Sequence, residues 1–523
     1  MDCTLRNVKV YQENNPRIAD VTIAHGRIQQ IESHAGRTGP DFDLQGSLVI
    51  PAFTDSHLHL HGIAASFLTV DLREADSMEE SLVRIVNFSK GLQKGAWVTG
   101  GRWDRNRWPT ISFPDRHALD RVLPDHPAQL WSRDGHALWL NTLGLEVLGI
   151  SAETADPPGG VILREEDGTP TGILLEKAAD QYAAKFSLLS PPNQLAKAYR
   201  EAASLLNSLG IVACNHFAGE EDYPALKERV QQLSLPLHLS IWLDQATLPD
   251  LIEQGLQSGQ GDGRVKFGGL KVFADGSLGS RTAWMLEPYQ GSSDRGICAV
   301  DPDSLAWDIE RAARNGIATA VHAIGDSAVR LALDCFFPTA ALNEKLRSRI
   351  EHAQLVSISD IDRFLECGLL ASVQPIHAPH DREMALRHWG DRAHRAYPYR
   401  SLEEAGTKLV FGSDAPVEDA DPLPGLFAAV FRRLPGEPPE KSIGLREAIS
   451  FEHALCAYTE GGAWGMYAET ERGRLVPGQL ADMVVMDRDF FEDPLSSLPQ
   501  ARVIATFLEG DPVYLAPDVP FCL

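Results

Sequence analysis

Leu48-Val49-Ile50-Pro51-Ala52-Phe53-Thr54-Asp55-Ser56-His57-Leu58-His59-Leu60-His61-Gly62 is the stretch on which the reading of this chain turns. The apolar run containing Val49 and Ile50 reads as a buried strand that empties into His57 and His59, and a strand's period of two points those two imidazoles to one side. One strand can in this way offer two nitrogen ligands to one metal ion. His pairs also stand on strands as ordinary, partly buried residues. Pro51 before the histidines and Gly62 after them mark a strand that ends where its ligands begin, which is where barrel active sites sit.

The size and charge of the chain limit what this stretch belongs to. With 523 residues, 44% hydrophobic and 23% charged, the chain reads as a globular enzyme with one large domain and an accessory one. A formal net charge of -24 without basic clusters argues against nucleic-acid and membrane partners and leaves a small-molecule substrate. Homodimer formation is left open. The seven cysteines, at 3, 214, 298, 335, 367, 456 and 522, form no Cys-x-x-Cys pair, so they read as reduced packing thiols. Met1-Asp2-Cys3-Thr4-Leu5-Arg6 is not a signal sequence and no stretch has the apolar length of a membrane span, so the expected location is the cytoplasm.

Read in order, the chain begins with short β-like runs between turn residues over 1–50. Apolar residues at helical spacing predict a helix over Ser77–Leu92 with Ser77 as its cap. From about 95 to 192 the sequence is aromatic and turn-rich, too long for a bare loop, and reads as an inserted subdomain over the site. A helix from Gln194 to Leu209 then restores alternation. Strands are expected at Ile211–Cys214, Leu237–Trp242, Gly269–Phe273, Ala318–His322, Arg349–His352, Leu370–Val373 and Leu409–Asp414, with helices such as Asp303–Asn315 and Ser359–Glu366 between them. With the His57 strand these make eight, the arithmetic of a (β/α)8 TIM-like barrel over 51–469 in an α/β protein. Residues 470–523 return to short β runs, so 1–50 and 470–523 are expected to build one small β-sandwich-like domain from both termini.

Polar residues stand near the ends of the predicted strands: His57 and His59 on the first, Lys271 on the fourth, His322 on the fifth, His352 on the sixth and Asp414 on the eighth. A barrel brings those ends to one mouth. Four imidazoles and a carboxylate suit one or two first-row divalent ions, zinc above all.

That order, His-x-His, Lys, His, His, Asp, resembles the binuclear subgroup of the amidohydrolase superfamily. Longer runs resemble its amidohydrolase 3 or YtcJ-like branch, which includes N-substituted formamide deformylases. They are Trp131-Ser132-Arg133-Asp134-Gly135-His136-Ala137-Leu138-Trp139, Pro170-Thr171-Gly172-Ile173-Leu174, Phe273-Ala274-Asp275-Gly276-Ser277-Leu278-Gly279-Ser280-Arg281-Thr282, Val321-His322-Ala323-Ile324-Gly325-Asp326, Phe411-Gly412-Ser413-Asp414-Ala415-Pro416-Val417 and Pro477 to Val485. The resemblance spans nearly the whole chain. It implies a metal-dependent hydrolase that cleaves a non-peptide carbon–nitrogen bond (amide, formamide or cyclic amide) by a metal-bound hydroxide. His57, His59 and Asp414 would hold one metal, His322 and His352 the other, and Asp414 would move the proton as the catalytic residue.

Lys271 needs a separate argument, because an ammonium has no lone pair for a cation. The resemblance implies that carbon dioxide carboxylates it, giving a carbamate that bridges the metals; the competing role is a salt bridge to Asp275 or another acid. Glu176 is the alternative bridging carboxylate. Of the other polar residues, His61 reads as structural, His216 and His136 as substrate or supporting contacts, and Asp275 and Arg281 as substrate-orienting or loop-bracing. Trp103, Trp108, Trp131 and Trp139 line an apolar substrate site or form the core of the insertion. Two rivals remain: a mononuclear deaminase on the same fold, disfavoured because Gly325 stands where such sites carry a Glu three residues after the fifth-strand His, and a non-catalytic scaffold, disfavoured because every ligand is present.

Overall fold

Short β-branched and apolar runs, each followed by a polar or glycine-containing turn and then a helical pattern, close into a parallel barrel in the computed structural model. It describes residues 2–517 except 12–15, 34, 35, 37, 38, 74, 111, 133–136, 180, 183–191, 220–222, 280 and 494. The eight barrel strands are β1 Phe53–Leu58, β2 Ile211–Gly219, β3 His238–Asp244, β4 Val265–Phe273, β5 Ala318–Ala323, β6 Arg349–His352, β7 Leu370–Val373 and β8 Leu409–Phe411. They pair in sequence order, all parallel, and each of the seven runs expected after the first overlaps one of them, the last ending at Phe411 short of the expected Asp414. The seam between β8 and β1 is drawn together just past β8, where Asp414 N donates to His57 O at 2.7 Å and His59 N to Ala415 O at 2.8 Å. Asp55 accepts from Ser413 N across the same seam. Gly412 is required there, since a Cβ on it would lie 2.4 Å from His57 N.

Helices cover the barrel where their caps and apolar faces allow it. Pro302–Arg314 begins on Asp301, whose carboxylate accepts from Ser304 N at 2.9 Å, has a Pro in its first turn and buries Leu305, Ile309, Ala312 and Ala313. The helix expected over Ser359–Glu366 is shorter, a 3₁₀ turn at Ile358–Asp360 followed by Arg363–Glu366.

The opening stretch divides differently from the expectation. Val49 and Ile50 do not run on into the histidine strand: Leu48–Pro51 is a strand of a second sheet, and β1 starts afresh at Phe53. Pro51 has no N–H to continue a ladder. Past it, Ala52 N donates to Asp482 O, whereas Phe53 N already donates to Gly210 O of the barrel. This second sheet has the strand order 511–515, 503–508, 483–486, 48–51, 3–10, 17–24, 27–32, with 41–43 also paired to 3–10. Leu48–Pro51 thus lies between strands from the two ends of the chain, antiparallel to Met483–Met486 and parallel to Cys3–Val10. Leu5, Val10, Val21, Ile23, Val49, Val485 and Phe507 form its core.

Residues 1–60 and 203–523, the barrel with this terminal sheet, make one compact unit, and residues 61–202 make a second. The inserted body is therefore wider than 95–192. It contains the helix Met78–Ser89, capped by Ser77 through a 3.0 Å hydrogen bond from Glu80 N, and a six-stranded sheet. Its tryptophans are largely core: Trp103, Trp108 and Trp139 are buried and pack on one another. Among the described residues no helix is long and apolar enough to cross a membrane, and the six described cysteines are unpaired.

Candidate metal centre

The C-terminal ends of β1, β4, β5 and β6, with the segment after β8, bring His57, His59, Lys271, His322, His352 and Asp414 around one cavity of about 430 Å³. His57 Nε2 is 3.4 Å and His59 Nε2 3.3 Å from Asp414 Oδ1. Both distances match the donor–donor edge of a tetrahedral site, which for bonds of 2.0–2.1 Å measures about 3.3–3.4 Å. Donor atoms of His57, His352 and Asp414 lie within 4.8 Å of one another. The ring centroids of His352 are 4.9 Å from those of His57 and 4.6 Å from those of His322.

The second nitrogen of each imidazole shows what the first can do. His57 Nδ1–H donates to Glu351 Oε2 at 2.6 Å, His59 Nδ1–H to Phe217 O at 3.3 Å, and His352 Nδ1–H to Gln374 Oε1 at 2.8 Å. His322 uses the other atom, Nε2–H, on Gly276 O at 3.1 Å. In all four rings one nitrogen is committed to an acceptor, so the other carries the lone pair that a metal needs. Burial holds three of the rings neutral: His57 is lowered to about 4, His322 to about 3 and His352 well below its usual value, desolvation being the largest cause in each. Burial alone would raise the Asp414 carboxyl, but the surrounding imidazoles, His57 first, hold it far below the usual carboxylate range. It is an ionised acceptor at any working pH.

Glu351 was not singled out in the sequence. Buried at the end of β6, it would rise on desolvation, but Arg349 and then His57 bring it down to about 2. Arg349 Nε lies 2.9 Å from Glu351 Oε1, and its guanidinium stacks 4.1 Å from the Trp242 ring. Gln374, just past β7, and His377, on the short helix His377–His380, were missed as well, though both follow a predicted strand end, the rule that found the others. Two of these candidate ligands sit on left-handed backbone, His352 at φ 71° and Asp414 at φ 62°. Such conformations cost about 1–3 kcal/mol each and concentrate at functional sites.

Lys271 lies in the cavity wall, its Nζ 4.4 Å from the Phe217 ring centroid and 5.2 Å from that of Phe273. Among the described residues nothing hydrogen-bonds to Nζ, and the salt bridge to Asp275 considered from the sequence does not form. Burial is the main cause that lowers its pKa to about 8. Asp275 instead braces its loop, accepting from Ile324 N, Gly325 N and Trp284 N at 2.8–3.0 Å. Burial pushes it up to about 7. Asp275 and Arg281 are not among the cavity-lining residues; Arg281 is exposed.

The remaining expected residues fall elsewhere. His216 is buried and accepts from Leu60 N through Nδ1 at 3.1 Å. His61 Nδ1 is 3.1 Å from the Tyr199 hydroxyl, within the inserted body. Glu176 is exposed at the end of strand Pro170–Glu176 of that body. His136 lies outside the described residues.

A barrel whose strand ends carry imidazoles with free lone pairs and an ionised Asp defines a metal-dependent hydrolase site, and comparison with known proteins places it. The chain belongs to the amidohydrolase family, whose model matches residues 42–514. It is similar to the putative amidohydrolase YtcJ of Bacillus subtilis (strain 168), 31% identical over 490 residues that cover 92% of each chain. It is also similar to an N-substituted formamide deformylase of Arthrobacter pascens, 25% identical over 535 residues and 96% of each chain. Among solved structures, an uncharacterized metal-dependent hydrolase from Pyrococcus furiosus matches with a TM-score of 0.74 and 31% identity, over 94% of this chain and 99% of that one.

Proposed function

We propose that this chain hydrolyses a non-peptide carbon–nitrogen bond, in an amide, formamide or cyclic amide. The observation that carries the reading is the set of four imidazoles lining one cavity with Asp414, each with one ring nitrogen tied to an acceptor so that the other keeps its lone pair. His57, His59 and Asp414 would hold one divalent ion, zinc best matching the donor set, and His322 and His352 a second. When bound, such ions acidify water and polarise the carbonyl under attack.

Lys271 fits the position between them. Among the described residues its buried Nζ has no hydrogen-bond partner, and at neutral pH about a tenth of a group with pKa about 8 is the neutral amine. That amine adds to carbon dioxide, forming the N–C bond and releasing one proton, and the carbamate supplies the two oxygens that the amine lacks. Asp414, ionised and in reach of the imidazoles, takes the proton of the attacking water on a carboxylate oxygen and returns it to the leaving nitrogen. Glu351, Gln374, Phe217 O and Gly276 O keep the four rings in the ligating tautomer. The name of the formamide deformylase relative supports a carbon–nitrogen bond as the one cleaved.

The test is metal analysis of the purified protein, then turnover of N-substituted formamides, N-acyl amines and cyclic amides, with a heteroaromatic amine as the deamination control. One to two zinc equivalents per chain and chelator-sensitive release of an amine are expected. Release of ammonia from the heteroaromatic control alone would replace this reading with the deaminase.

A further inference from the structure

A fifth imidazole faces the same cavity with the opposite polarity. His377 Nε2 is buried without a hydrogen-bond partner and lies 3.9 Å from Asp414 Oδ2, beyond hydrogen-bond reach. Its other nitrogen, Nδ1, is 3.4 Å from Gln354 Nε2. The orientation of that amide is set by Asp381: Gln354 Nε2 is also 3.4 Å from Asp381 Oδ2, which accepts from the Tyr397 hydroxyl at 2.8 Å as well. A carboxylate only accepts, so the NH2 end of Gln354 must face it. The same NH2 then donates to His377 Nδ1, and a neutral imidazole that accepts at Nδ1 carries its proton on Nε2. In the four candidate ligands an acceptor leaves the other ring nitrogen its lone pair; here a donor does the reverse and presents an N–H.

We propose that His377 is a further catalytic residue: held in the Nε2–H tautomer by the Tyr397–Asp381–Gln354 relay, it donates a hydrogen bond to the carbonyl oxygen under attack. This rests on the hydrolase reading above. As negative charge grows on that oxygen, a fixed donor in a site shielded from water stabilises the charge more than it stabilised the ground state. This donor stands beside Asp414, so oxygen and leaving nitrogen would be served from adjacent groups. Its polarity also separates His377 from the metal ligands, although it lies near them.

Two variants and three readouts decide the matter. Two-bond proton–nitrogen correlation spectra of 15N-histidine-labelled protein, with His377 assigned by its absence in His377→Phe, are expected to show the proton on Nε2. Formate binding to the zinc-loaded protein, followed by calorimetry, should weaken about tenfold in His377→Phe, the loss of one hydrogen bond to an oxygen. On an amide substrate kcat should fall about a hundredfold with KM within about twofold, zinc content unchanged, and His377→Gln, which keeps an N–H donor, should regain about tenfold. A proton on Nδ1, loss of zinc from His377→Phe, or unaltered formate affinity would each overturn the proposal. A shifted pH profile with formate affinity intact would make His377 a positioning residue for Asp414 instead. If the wild-type protein turns over no amide, the hydrolase reading fails, and the tautomer and formate affinity still decide this one.

Discussion

Lys271 and Glu351 show how single buried charges are held in this barrel and what each does. Lys271 is desolvated without a hydrogen bond, so its replacement removes none and leaves the pair Arg349–Glu351 in place. Lys271→Ala is expected to fold normally but to lose at least one zinc equivalent and at least a hundredfold in rate, with partial rescue by short carboxylic acids that supply the missing oxygens. Full zinc occupancy and a near-normal rate in this variant would place the bridge elsewhere. Glu351 acts one bond further out. Glu351→Gln weakens the acceptor that keeps His57 Nδ1 protonated, and zinc affinity is expected to fall about 10–100-fold in competition with a chelating dye. The imidazoles also set how the site responds to acid. A proton competes with a metal only below the folded pKa, and His57 and His322 are lowered from 6.5 to about 4 and about 3. Zinc should therefore be retained on dialysis well below pH 6.5 and released only as pH falls toward 4; release beginning near 6.5 would mean that these rings are not buried ligands.

The seam between β8 and β1 is the element on which the site depends, because it joins the strand that carries His57 and leads into His59 to the segment carrying Asp414. Asp55 holds it from one side, accepting from His57 N and Ser413 N, and Gly412 allows the backbones to approach. Gly412→Ala puts a methyl group 2.4 Å from His57 N and 2.8 Å from Asp55 Oδ1, neither of which can turn away. It is expected to cost about 1–3 kcal/mol, the range for overpacking, and to lower zinc occupancy through the displaced Asp414. Thermal unfolding with parallel metal analysis checks this; a lower melting temperature with full occupancy would show the seam to be structural only.

In the whole chain, the terminal sheet is tied to the barrel as well as to itself. Thr506 Oγ1 donates to Asn207 O at 2.7 Å, and Arg264 of the barrel makes a bidentate pair with Glu509 at 3.0 and 2.9 Å. Leu48–Pro51 leads directly into β1, so disorder in the sheet reaches the His57 strand through one residue. Truncation before Val503 removes two strands and uncovers Val485 and Met483, and it is expected to give protein that unfolds at lower temperature and loses zinc in the same transition. Retention of zinc by the truncated chain would show that barrel and sheet are independent.

Much of this arrangement was legible in the amino-acid order, because it rests on local patterns. Most of the eight strands are apolar-rich runs of strand length, and a polar residue at the end of such a run is visible wherever the run is. His57, His59, Lys271, His322, His352 and Asp414 were found that way, and the cavity gathers them. What the tertiary structure alone decided is which atom of each side chain is free. Glu351 is 294 residues from the ring it orients, and Gln374 is 22 from His352. No pattern of local hydrophobicity records such pairings, which follow from neighbouring strand ends meeting at the barrel mouth. The same holds for the break at Pro51, where one apolar run serves two sheets, and for His377, whose proton is placed by Gln354 and Asp381. Periodicity is a property of a segment and can be read along the chain. The tautomer of an imidazole is a property of its partners, and the fold has to bring them together first.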